Sequence, residues 1–378
     1  MSLELDEHRQ YLADTVRLDA FARALTATVR PGDVVLDLAS GTGILGFLAC
    51  QAGAARVYAV DQGPIIGLAR QLAQVNGLSD RITFLRNHSE WVTLPEPVDV
   101  VVTDQIGRIG FDAGLFEYLI DARDRLAKPG ARLIPRRLDL WFVPCEHEEL
   151  RSVVEFWQAP VARLSLDPAH AIARATGYPR TIEHRHQLSA PQRLTSSDLT
   201  QPCPLFIEGR GEFVVSRDGC IDAIAGWFRA ELAADVWMTN GPEHPRIDRR
   251  HAMLAVNPGI AVSAGDVIAV TVSFRPTTTL ITWALEVRSA SGEVRSHMRR
   301  STFEGMLISS EDLSRTAPDR IPRLGRPGQI RAQVLALCDG VRPLGQIEAL
   351  VYQRNLDFFN SPSSAARFVS EVLLRYGE

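Results

Sequence analysis

The sequence predicts an α/β domain built on a parallel sheet, then an antiparallel β-domain, then a small helical tail. Three observations carry this. Apolar runs alternate with helical stretches between residues 34 and 134, the rhythm of a parallel sheet flanked by helices. Past about residue 136 the texture changes to strand-length segments punctuated by Gly and Pro, which favours antiparallel pairing. Residues 328–378 read as three helices with a short turn or wing.

Taken in order, residues 7–30 carry Leu12, Val16, Leu18, Phe21 and Leu25 on one helical face. Strands are expected at 34–36, 56–60, 82–85, 98–103 and 132–135, with helices at 44–52, 64–76 and 114–127. The last helix stops near Lys128-Pro129-Gly130. Strand signals then recur at 138–144, 204–208, 212–217, 226–233, 251–256, 267–274 and 280–288, interrupted by a helical insert at about 153–178. Residues 309–327, rich in Ser, Arg and Pro, read as a linker. The expected domains are therefore 1–136, 137–308 and 328–378.

A chain of 378 residues exceeds the size at which one core usually keeps growing. Its 46% hydrophobic and 23% charged content is that of an ordinary soluble protein. A net charge of −4 argues against a nucleic-acid surface spread over the whole molecule. No apolar run is long enough to span a membrane, and Met1-Ser2-Leu3-Glu4-Leu5-Asp6 has neither the basic region nor the apolar core of a leader. Five cysteines without a C-x-x-C pair fit neither a metal knuckle nor a disulfide framework, so no metal and a reducing cytoplasm are expected.

Asp37-Leu38-Ala39-Ser40-Gly41-Thr42-Gly43 follows the apolar Val34-Val35-Leu36 and precedes the helical Ile44-Leu45. A dinucleotide turn needs G-x-G-x-x-G facing a pyrophosphate. Here an acidic residue ends the strand, where it would repel a pyrophosphate but suit an ammonium group or ribose hydroxyls. That chemistry points to S-adenosylmethionine (SAM). Asp61, followed by Gln62, ends the next strand and suits the ribose hydroxyls; the alternative is a cap for the following helix. Glu90, beside Ser89 in Asn87-His88-Ser89-Glu90-Trp91, suits the adenine amino group or is a solvated loop acid.

Residues 8–136 resemble the catalytic core of protein arginine methyltransferases. The likeness rests on His8…Tyr11-Leu12-Ala13-Asp14-Thr15-Val16-Arg17, on Val35 through Leu45, on Leu94-Pro95…Val98-Asp99-Val100-Val101-Val102 and on Ala122-Arg123-Asp124-Arg125. The resemblance implies a Rossmann-like SAM domain, an antiparallel β-barrel with a helical arm that pairs two copies, and a homodimer. It implies a role for Arg17 at the SAM carboxylate, and puts Gly41, Gly43, Asp61 and Glu90 at the cofactor. Asp37, Ala39, Ile44, Leu45, Gln62, Ser89 and Asp104 complete the expected cofactor set. Ala39 stands where the family usually has a third glycine, and is expected to narrow the turn in ordinary φ/ψ.

The likeness weakens at the acceptor. The family's hairpin carries two glutamates; this chain has Asp104 and Ala113 at those positions, with Asp112 and Glu117 nearby. Ile247-Asp248-Arg249 stands where the family has Thr-His-Trp, and Arg246, Asp248, Arg249 and Arg250 form a charged cluster. His251 is expected to face solvent. Asp104 is the first candidate to orient the acceptor or take its proton, and His8 the second. The resulting expectation is methyl transfer to a nitrogen or oxygen of a small molecule or peptide intermediate of bacterial specialised metabolism. The alternatives are arginine N-methylation by Asp104 with Asp112 or Glu117, and a non-catalytic scaffold. The tail resembles a winged-helix-like module that contacts a peptide or carrier, or else serves as a cap.

Overall fold

The structure, a computed structural model, describes residues 4–278 and 280–377. The first three residues of the N-terminal stretch Met1-Ser2-Leu3-Glu4-Leu5-Asp6 read from the sequence lie outside them. Contacts divide the chain into two units, Met1–Met306 and Leu307–Glu378.

The first unit begins with α1 (Glu4–Ala13) and α2 (Thr15–Thr28). The sequence predicts one helix here; Asp14 breaks it by turning its carboxylate onto the Arg17 amide at 3.0 Å, which caps α2. The chain continues through β1 (Val34–Leu38), α3 (Ile44–Gln51), β2 (Arg56–Asp61), α4 (Ile66–Val75), β3 (Ile82–Arg86), β4 (Val98–Thr103), α5 (Leu115–Asp121) and β5 (Ala127–Ile134). All five strands are parallel, in the order β3-β2-β1-β4-β5. Strand β1 is buried along its whole length, as its near-continuous apolar run requires. Strand order reverses at β1, so the carboxyl ends of β1 and β4 open the crevice where such sheets hold ligands.

The antiparallel part opens with β6 (Arg137–Cys145), α6 (Glu148–Glu155) and α7 (Asp167–Ala173). It goes on through β7 (Gly177–Arg180), β8 (Gln192–Asp198), β9 (Ile207–Val214), β10 (Gly219–Ala233) and β11 (Val236–Thr239). It ends with β12 (His251–Val262), β13 (Val267–Phe274), β14 (Ile281–Arg288) and β15 (Val294–Ser301). These strands make two sheets, β7-β12-β10-β6-β8 with β11 paired to β10, and β15-β14-β13-β9. Burial alternates residue by residue in β13 and β14, so each strand turns one face to the barrel core. Trp283 of β14 is fully buried and donates its Nε1–H to the Ala255 carbonyl of β12 at 3.0 Å, a polar link between the sheets. Strands β7, β8 and β15 escape the sequence reading because they lack an apolar run, and β11 (Val-Trp-Met-Thr) because it is only four residues long; β15 reads Val-Arg-Ser-His-Met-Arg-Arg-Ser and pairs at a sheet edge. The expected helical insert is α6, a short 3-10 turn (Phe156–Gln158) and α7, and it gives way to β7 before residue 178.

The second unit contains α8 (Ser310–Arg315), α9 (Arg326–Leu337), α10 (Leu344–Arg354) and α11 (Pro362–Tyr376). Ile330, Val334, Ile347, Val351 and Val369 give it a core of its own. Helix α8 falls inside the expected linker, started by a Ser309–Asp312 capping box. No strand occurs among this unit's described residues, so the expected wing is absent and the module is purely helical. Among the described residues no helix is long and apolar enough to cross a membrane.

Candidate active site

The glycine turn sits at the carboxyl end of β1. Ala39, Gly41 and Gly43 all take left-handed φ angles of 57°, 53° and 80°. For the glycines this costs little; for Ala39 it stores about 1 kcal/mol or more. The expectation that Ala39 keeps ordinary φ/ψ is therefore corrected: the turn geometry prevails over the side chain. The turn is tied to β2 by the Ser40 amide on the Val60 carbonyl and the Gly41 amide on Asp61 Oδ2, at 3.0 and 2.8 Å. Gly63 N–H holds Asp61 Oδ1 at 2.7 Å. The Asp61 carboxylate is thus aimed and fixed, with lone pairs left for hydroxyl donors.

Beside the turn lies a cavity of about 230 Å³. Ala39, Asp61, Gln62 and Ser89 line it, joined by His88, Gln105, Ala113 and Tyr118. Glu90, next in sequence to Ser89, is exposed, 3.7 Å from His88 Nδ1, and is not among the lining residues. Arg125 fixes this end by donating to the Ser89 carbonyl at 2.7 Å and to that of Val92 while pairing with Asp121. That gives the Ala122-Arg123-Asp124-Arg125 motif a structural reason. A larger hollow of about 1170 Å³ lies at the base of the arm. Its Arg151, Arg185 and Arg217 are paired to Asp222, Glu183 and Glu146, and it has no glycine turn. The smaller cavity at the strand ends is the candidate site.

Other predicted residues stand back from this cavity. Asp37 is fully buried beneath the turn; its Oδ2 accepts from Gly46 N–H at 2.8 Å and its Oδ1 has no partner. Burial raises its pKa to about 7 against the opposing Gly46 bond. Ile44 and Leu45 start α3, and Leu45 is buried in the core. His8 lies on the turn itself: a Cβ added to Gly41 would come within 2.7 Å of the His8 ring. Among the described residues no hydrogen bond joins His8 to Asp104.

Arg17 and Asp104 meet. Arg17, buried between the Tyr11 and Phe21 rings, donates Nε–H to Asp104 Oδ2 at 2.5 Å. Arg249 donates to the same oxygen at 3.0 Å, so two guanidinium groups hold one side of the carboxylate. Asp104 Oδ1 is buried without a partner. Asp112 commits one oxygen to its own turn. Its Oδ1 accepts from the amides of Arg108 and Ile109 at 2.6 and 3.0 Å, closing its own turn. Gly107, at φ 73°, permits this, because a Cβ there would collide with Asp112. Glu117 is exposed on α5 and shares a second hollow with Ala113 and Tyr118.

Sequence reasoning missed Asn240. It is fully buried, accepts from Phe228 N–H at 3.1 Å and donates to the Arg108 and Arg250 carbonyls at 2.9 and 3.2 Å. It thereby joins the 104–113 hairpin to the barrel loop, and Asp14 Oδ2 secures that loop through the Asp248 amide at 2.8 Å. His251 is buried rather than solvent-facing, with Nδ1 accepting from Ile182 N–H at 3.0 Å. Burial, and then Arg246, lower its pKa to about 4.

Comparison with known proteins follows the same division. Residues 20–134 match the family model "Ribosomal protein L11 methyltransferase (PrmA)", and residues 137–283 match "Arginine methyltransferase oligomerization subdomain". The chain is 32% identical to protein arginine N-methyltransferase 6 of Danio rerio over 42% of its own length, and spans only about half (46%) of that relative. It is 28% identical to the arginine N(omega)-methyltransferase of Streptomyces achromogenes subsp. streptozoticus, over 69% of this chain and 74% of that protein. In fold it matches the Trypanosoma brucei PRMT1 enzyme-prozyme complex with AdoHcy at a TM-score of 0.70 and 20% identity, covering 78% of this chain and 97% of that one. With a parallel sheet carrying the glycine turn and a barrel matched to the oligomerization subdomain, the chain is a protein arginine methyltransferase-like, SAM-dependent methyltransferase.

Proposed function

We propose that the chain methylates an ω-nitrogen of arginine with SAM as donor, using Asp104 as its acceptor-binding carboxylate. One observation carries this reading: Asp104 is held through Oδ2 alone, and its buried Oδ1 points to no protein donor. A buried acceptor left bare is costly unless a ligand supplies the missing N–H. The arginine N-methyltransferases among the relatives support guanidine over the broader nitrogen or oxygen acceptor expected from sequence.

The residues present suit SAM: Asp61 for the ribose hydroxyls, the glycine turn for close backbone approach, and Arg17 for the carboxylate. When bound, SAM supplies an electrophilic methyl on a sulfonium. Asp104 Oδ1 would accept one guanidinium N–H, which would turn that nitrogen toward the methyl, and would take up its proton as the N–C bond forms and the methyl–sulfur bond breaks, with S-adenosylhomocysteine as the leaving group. Because position 113 is alanine, one carboxylate does this where the family uses two.

Asp104→Asn tests the assignment. The expected loss in kcat/KM is at least about 100-fold, the usual share of a positioned general base, with SAM still bound. Failure of L-arginine, an arginine-rich peptide and a peptide with aspartate beside its arginine all to take up methyl in the parent protein would sink the guanidine reading.

The proposed partner is a second copy of the chain, joined through the arm. Phe156 and Leu164 stand exposed there, within the segment matching the oligomerization subdomain. The five free cysteines are in keeping with a cytoplasmic setting.

A further inference from the structure

The acceptor end of this site has no spare negative charge for a cationic acceptor. Arg17 and Arg249 both contact Asp104 Oδ2, and their side chains are only 7% and 14% exposed. The other carboxylate in reach, Asp14, is engaged by the amides of Arg17 and Asp248. With Asp14 counted, two arginines against two aspartates give zero before anything binds. An arginine side chain adds +1 and the SAM sulfonium another, in a site shielded from water. The barrel loop does not offset this. Across residues 243–250, Arg246, Arg249 and Arg250 outnumber Glu243 and Asp248, for a net 3 − 2 = +1. Arg246 and Arg250 make no side-chain hydrogen bond or ion pair among the described residues, and both side chains are partly or fully open to solvent.

Arg249 is also built to receive something more. Its Nη1 donates to the Gly107 carbonyl at 3.1 Å and its Nη2 to Asp104, while the guanidinium carbon lies 6.0 Å from the Phe228 ring centroid. These contacts occupy two of its five N–H donors, so three remain in a fixed, half-buried fork. Such a fork matches a carboxylate in bidentate fashion. It stands where the arginine methyltransferase pattern read from the sequence has tryptophan, so that pattern does not supply this fork.

We propose that Arg249 makes the site selective for an arginine that carries its own carboxylate close by, and that Arg249 is the group that reads it. The carboxylate would cancel the charge the guanidinium brings in. An arginine embedded in a basic segment would face repulsion from Arg249 and its loop. The inference rests on the guanidine reading for the ligand's other end, but it makes a separate demand on the anionic end.

The test uses the full chain saturated with S-adenosylhomocysteine, so that binding is read without turnover. Calorimetric titration compares L-arginine with agmatine, which keeps the guanidinium and lacks the carboxylate. A parallel pair of peptides places aspartate or asparagine beside a central arginine. The expected result is at least a 10-fold tighter affinity for the carboxylate member of one pair. Preference in the first pair alone assigns a free amino acid; preference in the peptide pair assigns an acidic segment. Arg249→Leu should shrink that ratio to within about 3-fold, and Arg249→Lys should restore part of it, with S-adenosylhomocysteine affinity unchanged as the check on folding. L-citrulline separates the two readings, because it keeps the carboxylate and has no cationic guanidinium. Arg249-dependent binding of citrulline without methylation of any guanidine would overturn the proposed acceptor and leave carboxylate recognition standing. Equal affinities within both pairs, a ratio untouched by Arg249→Leu, or no binding in any arm would overturn the role of Arg249.

Discussion

At the scale of single residues, burial holds two groups in their neutral forms, Asp37 protonated and His251 deprotonated. Asp37 has a folded pKa of about 7, raised above its ordinary 3.8 mainly by burial. A raised carboxylate favours the folded state while protonated, so its contribution falls as pH climbs from about 4 to 7. His251 has a folded pKa of about 4, lowered from 6.5 mainly by burial. A depressed histidine favours the folded state while neutral, so its contribution is lost as pH falls from 6.5 to 4. The two slopes partly cancel in the parent protein, which is why a difference between variants is the informative measurement. Asn at position 37 keeps an oxygen for the Gly46 amide and removes the titration. The stability of Asp37→Asn relative to the parent should therefore rise between pH 5 and pH 8, by a few kcal/mol for a shift of this size. Denaturant unfolding at both pH values checks it, and a pH-independent difference would show that Asp37 is not perturbed.

At the scale of elements, the structure explains what the sequence could and could not reveal. The turn from Asp37 to Gly43, Asp61 at the end of β2 and the strand rhythm were legible because each is a local pattern next to its own strand. The acceptor side was not. Arg249 and Asp104 lie 145 residues apart, and Asn240 meets Arg108 across 132, so only the fold brings them together. Asp112 illustrates a different blind spot. By position it is a plausible substitute carboxylate, yet a left-handed Gly107 lets it cap its own turn, which uses up that oxygen. The arm can be judged at this scale too. Its 3-10 turn and the following loop expose Phe156 and Leu164 at 55% and 68%, apolar surface that water disfavours. Replacing both by aspartate should turn a sedimenting dimer into a monomer and leave the unfolding midpoint of the isolated chain nearly unchanged. A monomeric parent protein would refute the arm's proposed role.

At the scale of the whole molecule, stability is divided between two cores. The large unit buries its apolar residues between the parallel sheet and the two antiparallel sheets. The C-terminal unit packs Ile330, Val334, Ile347, Val351 and Val369 among its own helices. A unit with its own core unfolds as its own cooperative block. Ending the chain at Met306 should therefore leave SAM affinity within about 3-fold of the parent, because Asp61, the glycine turn, Arg17 and Arg125 all lie in the first unit. Calorimetry with SAM gives that comparison. Turnover on different acceptors then separates two roles for the helical unit. If it binds a peptide or carrier, truncation raises KM for a long peptide acceptor and leaves L-arginine unaffected. If it stabilises the barrel, truncation lowers the unfolding midpoint of the first unit and reduces turnover on both acceptors alike.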